Sequence, residues 1–391
     1  MKSIKYNLAG IQIIFGEDSL KELQGELKRL NVKRPLLVTD QGIIDAGILK
    51  TVKDYLYIHE IAYEVYCGVK SDPLDIMVYE GTVLFNEKKC DGIISIGGGS
   101  SMDTGKCISI MSEHEGKILD YARSTLNHKD FSKKGCPIIS IPTTSGTGSE
   151  VSQYAVITNA ETHRKTTIAT PYILSDVAIL NPTFALSMPK DVTAYTGMDA
   201  LAHAIDAYTY KTTIEYGVEI SDICAIEAIK LIGNNLVNAY EHPDDILSRK
   251  NMMWAALLSG ISLNIGAGES HALGSMLSKY YGISHGVSVG IPLPYCMEYN
   301  VKSCYQRYAD IALALGCEQS DSLKELAYSG IEKIKEIMQN LDFPKMKDII
   351  KNISEVERFA QECADNSCCV SNERMNNKEA IMEVFEKALQ A

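Results

Sequence analysis

Ile93-Ile94-Ser95-Ile96-Gly97-Gly98-Gly99-Ser100-Ser101-Met102-Asp103 reads as a buried strand, a glycine turn and the start of a helix. Three glycines let backbone N–H groups approach an anion closely, and Ser100 or Ser101 is placed to cap the helix that follows. The positive end of that helix favours phosphate. The stretch is neither the dinucleotide fingerprint, which needs Gly where Met102 stands, nor a P-loop, which needs Gly at Ser100 and Ser or Thr at Cys107. A tight strand-to-helix turn without ligand is the other reading.

Working outward, strand and helix alternate on both sides. Ile11 to Phe15, Pro35 to Thr39, Tyr63 to Cys67 and Ile138 to Ile141 read as strands. Leu20, Leu23, Leu27 and Leu30 recur at helical spacing behind Asp18 or Ser19, and Asp72-Pro73 predicts a helix opening there and running to about Lys89. Such alternation predicts a parallel sheet covered on both faces. Beyond Ser187-Met188-Pro189, read as an N-cap with Pro in the first turn, long helical patterns such as Ile220 to Leu236 and Leu323 to Met338 take over. We therefore expect two domains: 1–187, an α/β domain with a parallel sheet, and 188–391, an all-helical domain. A length of 391 residues suits that number.

Composition narrows the function. With 38 Lys and Arg against 50 Asp and Glu, the net charge is −12, which disfavours nonspecific binding to nucleic acid or anionic membranes. The apolar stretch from Leu8 to Phe15 is far shorter than the roughly 20 residues that span a bilayer. The N-terminus reads as a strand and not as a signal peptide. The eleven cysteines are odd in number and include no CxxC pair, so free thiols in a reducing cytoplasm are expected.

Two further loops and a histidine set carry chemistry. Pro142-Thr143-Thr144-Ser145-Gly146-Thr147-Gly148-Ser149-Glu150 follows a strand, where α/β sheets bind ligands. Asp40 ends another strand and is either a ribose-binding carboxylate or an ordinary turn residue. Asp199 and His203 are four apart and share one helix face; His271 begins a second helical pattern that Gly282 ends, and His285 follows. One carboxylate and three imidazoles would suit Fe²⁺ or Zn²⁺ better than Ca²⁺ or Mg²⁺. The alternative is a surface pair and two loop histidines. His59, His114, His128 and His242 sit among polar residues and read as surface.

Taken in order, Val38-Thr39-Asp40, Gly97-Gly98-Gly99-Ser100 with Asp103 and Lys106, Pro142 to Val151, Gly197-Met198-Asp199-Ala200-Leu201 with His203, and His271 with His285 resemble the iron-containing (group III) alcohol dehydrogenase family. The resemblance implies a dehydroquinate synthase-like architecture, with 1–187 the α/β nucleotide-binding domain, 188–391 the all-helical metal-binding domain and a cleft between them. It implies Asp199, His203, His271 and His285 as catalytic metal ligands, for Fe²⁺ or alternatively Zn²⁺. It implies Gly97, Gly98, Gly99 and Ser100 around a pyrophosphate, Thr143, Thr144, Thr147 and Lys165 on the adenine and nicotinamide side, and Asp40 selecting NAD over NADP. The expected activity is reversible hydride transfer between a small primary alcohol, diol or hydroxyacid and NAD, in a cytoplasmic homodimer or larger homo-oligomer. Tyr154 and Cys368 match pocket-lining positions. Two positions depart: Ser275 stands where the family commonly has a relay histidine, and Asn372-Glu373-Arg374 replaces Asn-Pro-Arg. The rival expectations are a dehydroquinate-synthase-like lyase and a non-catalytic assembly subunit.

Overall fold

The computed structural model describes residues 10–391 except 123, 124, 126, 371–373 and 376, so the segment from Met1 to Lys5 and the pair Asn372-Glu373 lie outside the described residues. The described chain divides into two compact units: 10–144 with Gly148–Met188, and Ser145–Thr147 with Pro189–Ala391.

The first unit is built on a six-stranded sheet in the order β1-β8-β5-β4-β2-β3, all pairs parallel. Its strands are β1 (Gln12–Phe15), β2 (Pro35–Asp40), β3 (Glu64–Val69), β4 (Gly92–Gly97), β5 (Ile138–Pro142) and β8 (Val177–Leu180). Alternation along each strand feeds two cores. Leu36, Val38, Ile93 and Ile138 join one cluster, while Leu37, Ile94, Ile96, Ile139 and Ile141 join the other. Burial on both faces explains why these strands read as unbroken apolar runs.

The strand order reverses between β2 and β4. From β2 the chain moves outward to β3; from β4 it moves the other way, to β5. Loops at the carboxyl ends of β2 and β4 therefore flank a topological switch point, the usual ligand crevice of an open α/β sheet. Asp40 ends β2 and Gly97 ends β4.

A second sheet was not foreseen: β6 (Tyr154–Thr158) and β7 (Lys165–Ala169) form an antiparallel hairpin. It is clasped by the helix Gly99–Met111. Lys106, fully buried, donates from Nζ to Ser149 Oγ at 2.7 Å, Tyr154 O at 2.9 Å and Ser152 O at 3.0 Å. Asp103 accepts from Ser149 Oγ at 2.6 Å and from the Val156 amide at 2.8 Å. These motif residues thus tie the first strand of the hairpin and the loop before it to the helix.

Several boundaries differ from expectation. The glycine helix is capped by Gly98, not by Ser100 or Ser101, because Gly97 takes φ +146 and turns the chain early. The helix expected at Pro73 opens at Asp75 behind Leu74, since Asp72 is left-handed (φ +53) and pairs with Lys165. Ser19–Glu22 is a 3₁₀ turn, with the α-helix confined to Leu23–Arg29. Pro189 is itself the N-cap of Lys190–Tyr208.

The second unit contains only helices among its described residues. Lys190–Tyr208 is buried along most of its length and packs with Glu219–Glu241, Ile246–Ser262 and His285–Gly290 around one large core. Ala194, Ala200, Ala202, Ala204 and Ala207 keep its surface small enough for neighbours to approach from several sides. No described helix is long and apolar enough to cross a membrane.

Candidate metal and nucleotide sites

Helix Lys190–Tyr208 presents Asp199 and His203 one turn apart. His271 lies in the first turn of Glu269–Tyr281, which Gly282 ends in the left-handed conformation, and His285 starts the short helix His285–Gly290. One ligand atom from each of the four lies within 4.8 Å of the others. Around Asp199 Oδ1 stand His285 Nε2 at 3.5 Å, His271 Nε2 at 3.7 Å and His203 Nε2 at 3.9 Å. The His203 and His271 rings stack at 4.3 Å. Such a shell fits one ion with bonds of about 2 Å.

Two atoms test that fit. Asp199 Oδ1 and His271 Nε2 are buried and lack a hydrogen-bond partner. Leaving two such groups unsatisfied is costly, and a shared cation removes the cost. Electrostatics couple the same four side chains. Burial would raise the Asp199 carboxyl, but the imidazoles of His203, His285 and His271 outweigh it and hold it well below the usual carboxylate range. Burial lowers His203 to about 4, against the opposing pull of Asp199. His271 goes the other way: burial is outweighed by the carboxylates of Asp199 and Asp206, which push it up to about 9. Three nitrogens and one carboxylate oxygen suit Fe²⁺ or Zn²⁺. No cysteine belongs to the cluster, and among the described residues no two cysteines form a disulfide.

Asp206 was missed by the sequence reading. It is seven residues after Asp199 and three after His203, hence on the same face, and it is buried (3 % exposed). Its Oδ2 lies 2.7 Å from His271 Nδ1. The helical spacing was the available signal. Glu269 is also buried, and burial together with Asp206 raises its carboxyl. Ser275 is half-buried on the same helix, one turn beyond His271. His114, expected at the surface, is half-buried and links the Ile110 carbonyl to the Ser132 amide.

The other expected group assembles in the α/β unit. Asp40 accepts from Ser101 Oγ at 3.0 Å and from the Ile43 amide at 3.2 Å, so its carboxylate sits against the glycine turn. The Thr143 amide donates to Gly97 O at 3.0 Å. Thr144 covers Gly98, where an added Cβ would meet its Oγ1 at 3.2 Å. An added Cβ on Gly97 would lie 2.6 Å from Ser101 Oγ, and φ +146 independently demands glycine. Gly99 and Ser100 open the helix Gly99–Met111, whose first-turn amides have no partner within the helix. Lys165, on β7, pairs with Asp72 at 2.7 Å. Thr147 groups with the helical unit.

Comparison with known proteins covers both halves of the chain. The model of the iron-containing alcohol dehydrogenases matches residues 11–182, and that of the family's C-terminal part matches 193–389. A choline dehydrogenase of Bacillus subtilis (strain 168) is 34% identical over 374 residues, covering 95% of this chain and 92% of its own. An NAD-dependent methanol dehydrogenase of Bacillus methanolicus is 30% identical over 379 residues, covering 96% and 97%. A 1,3-propanediol oxidoreductase crystal structure superposes with a TM-score of 0.93 at 31% identity, covering 99% of this chain and all of that one. With both halves of the fold matched in order, the chain belongs to the iron-containing alcohol dehydrogenase family.

Proposed function

We propose that the chain interconverts small primary alcohols and aldehydes with NAD as hydride carrier and Fe²⁺ held by Asp199, His203, His271 and His285, with Zn²⁺ the alternative ion. The observation that carries this reading is the pair of buried, unpartnered atoms, Asp199 Oδ1 and His271 Nε2, that face each other at 3.7 Å. When bound, the ion would supply Lewis acidity toward an alcohol oxygen, and NAD would accept the hydride. The chain's own part is to hold the two partners: the four side chains fix the ion, and Gly97 to Ser100 offer backbone amides to the pyrophosphate. Thr143 and Thr144 border that turn, with Thr147 and Lys165 assigned to the same cofactor by resemblance. Asp40 would accept from ribose hydroxyls and repel a 2′-phosphate, so NAD is favoured over NADP.

On this reading 1–187 is the nucleotide domain and 188–391 the metal domain. We infer a cytoplasmic homodimer or larger homo-oligomer; eleven cysteines with no disulfide among the described residues are in keeping with a reducing compartment. The relatives are named for alcohols as different as methanol and cationic choline, so the substrate is left at the class of small alcohols.

The test is anaerobic reconstitution with Fe²⁺ or Zn²⁺, followed by an alcohol and aldehyde panel with NAD and NADP. Primary alcohols should reduce NAD⁺ steadily and NADP⁺ at least ten-fold less efficiently. Asp199→Ala should abolish both metal retention and turnover while the chain stays folded. Full turnover by metal-free Asp199→Ala would overturn the reading, as would tight binding of metal and NAD without NADH formation from any alcohol.

A further inference from the structure

Asp206 is the one buried carboxylate on the ligand-bearing face of Lys190–Tyr208 that the metal reading does not use. Its Oδ2 accepts three hydrogen bonds: from His271 Nδ1 at 2.7 Å, Ser270 Oγ at 2.7 Å and the Gly268 amide at 3.0 Å. All three donors come from the turn that opens the second ligand helix, Glu269–Tyr281. The approach is close enough to need glycine, since a Cβ on Gly268 would lie 2.8 Å from Asp206 Cγ.

The pattern fixes a tautomer. A carboxylate oxygen that gathers an amide and a hydroxyl donor faces Nδ1, so Nδ1 carries its proton and donates. Once an incoming ion displaces the proton from Nε2, the lone pair there faces Asp199 Oδ1 at 3.7 Å, and neither atom has a hydrogen-bond partner. Two electron-rich atoms aimed at each other in a buried site is the arrangement a cation requires.

We propose that Asp206 is a positioning residue of the metal centre. It selects the Nδ1–H tautomer of His271, aims Nε2 at the site and ties the start of the second ligand helix to the first. Helix Lys190–Tyr208 thus supplies two ligands directly and orients a third. This rests on the metal reading above. A purely structural clasp between two helices is the rival, and it predicts that any bond of the clasp matters equally.

The test uses metal-free full-length protein titrated with Co²⁺, reading affinity by chelator competition and coordination by the visible absorption of the bound ion. Ser270→Ala removes one clasp bond and leaves the His271 bond; Asp206→Ala removes all three; Asp206→Asn keeps a weaker acceptor. Asp206→Ala should loosen Co²⁺ 10–100-fold and alter the spectrum. Asp206→Asn should fall a few-fold below wild type, and Ser270→Ala should keep wild-type affinity and spectrum even where its melting temperature drops. Folded Asp206→Ala with wild-type affinity and spectrum would overturn the proposal, and so would Ser270→Ala that loosens Co²⁺ as much as Asp206→Ala. Should Asp206→Ala not fold, an unchanged affinity and spectrum in Asp206→Asn overturns it instead. Wild-type protein that binds no stoichiometric Co²⁺ would sink the metal reading itself, a result distinct from these.

Discussion

Single residues in this chain separate those that bind from those that are merely buried. Glu150 is fully buried, its Oε2 has no hydrogen-bond partner, and burial pushes its carboxyl up to about 7. A carboxyl whose pKa is higher folded than unfolded binds more protons when folded, so stability falls as pH rises from about 4.5 to 7 and then levels. Glu150→Gln removes that cost. It should be near neutral at pH 5 and stabilising by up to about 3 kcal/mol at pH 8. Urea unfolding at the two pH values checks this, and an equal effect at both would show that Glu150 is not ionised against a burial cost. Glu150 stood in the sequence only as the last residue of a polar loop, and Asp206 not at all, for a physical reason: a single Glu or Asp in a row of letters is ordinarily a solvated surface group. Asp199, His203, His271 and His285 were legible because histidine is scarce and the i, i+4 spacing puts two donors on one face. Asp206 shares that face at i+7, but only the fold shows that the Gly268 turn docks on it.

At the scale of elements, the parallel sheet could be read from five short apolar runs that alternate with helical patterns. The strand order could not, because it depends on which crossover goes which way. That order explains an oddity of the sequence, an acidic residue that precedes the glycine loop by more than fifty positions: Asp40 and Gly97 end the neighbouring strands β2 and β4. The hairpin β6–β7 was missed because its strands are half-exposed and its anchor is Lys106, a residue type almost never buried without partners. Helix packing gives a paired prediction on two glycines near the third and fourth ligands. A Cβ on Gly286 would lie 2.3 Å from the Tyr195 carbonyl oxygen, so Gly286→Ala must push His285–Gly290 off Lys190–Tyr208 and move His285 with it. Gly282 has φ +66 and nothing within 4 Å, so Gly282→Ala meets backbone strain alone. Both should destabilise the metal-free protein, by about 1–3 kcal/mol for Gly286→Ala and about 1–2 for Gly282→Ala. Only Gly286→Ala should weaken Co²⁺ binding, by ten-fold or more. Equal Co²⁺ affinity in the two variants would show that His285 is not a ligand.

Across the whole molecule, the two sets of proposed binding residues belong almost wholly to different compact units, each with its own core. The four ligand candidates lie in the helical unit, and Asp40, Gly97 to Ser100, Thr143, Thr144 and Lys165 lie in the α/β unit. A ligand stabilises the state that binds it by RT ln(1 + [L]/Kd), about 2.7 kcal/mol at a hundred times Kd. That stabilisation slows amide exchange only where opening destroys the site. Hydrogen exchange of the metal-free protein, then with Zn²⁺ alone and NAD⁺ alone, should therefore give two separate footprints. Zn²⁺ should protect Lys190–Tyr208 and the first turns of Glu269–Tyr281 and His285–Gly290, slowing their slowest amides by up to about a hundred-fold. NAD⁺ should protect the end of β2, the end of β4 and the first turn of Gly99–Met111. Protection of β2 and β4 by Zn²⁺ as strong as that of the ligand helices would mean that the sheet opens only together with the metal site, and the assignment of each ligand to its own unit would fail. Zn²⁺ protection that misses His271 and His285 while covering Asp199 and His203 would reduce the centre to the two ligands of one helix.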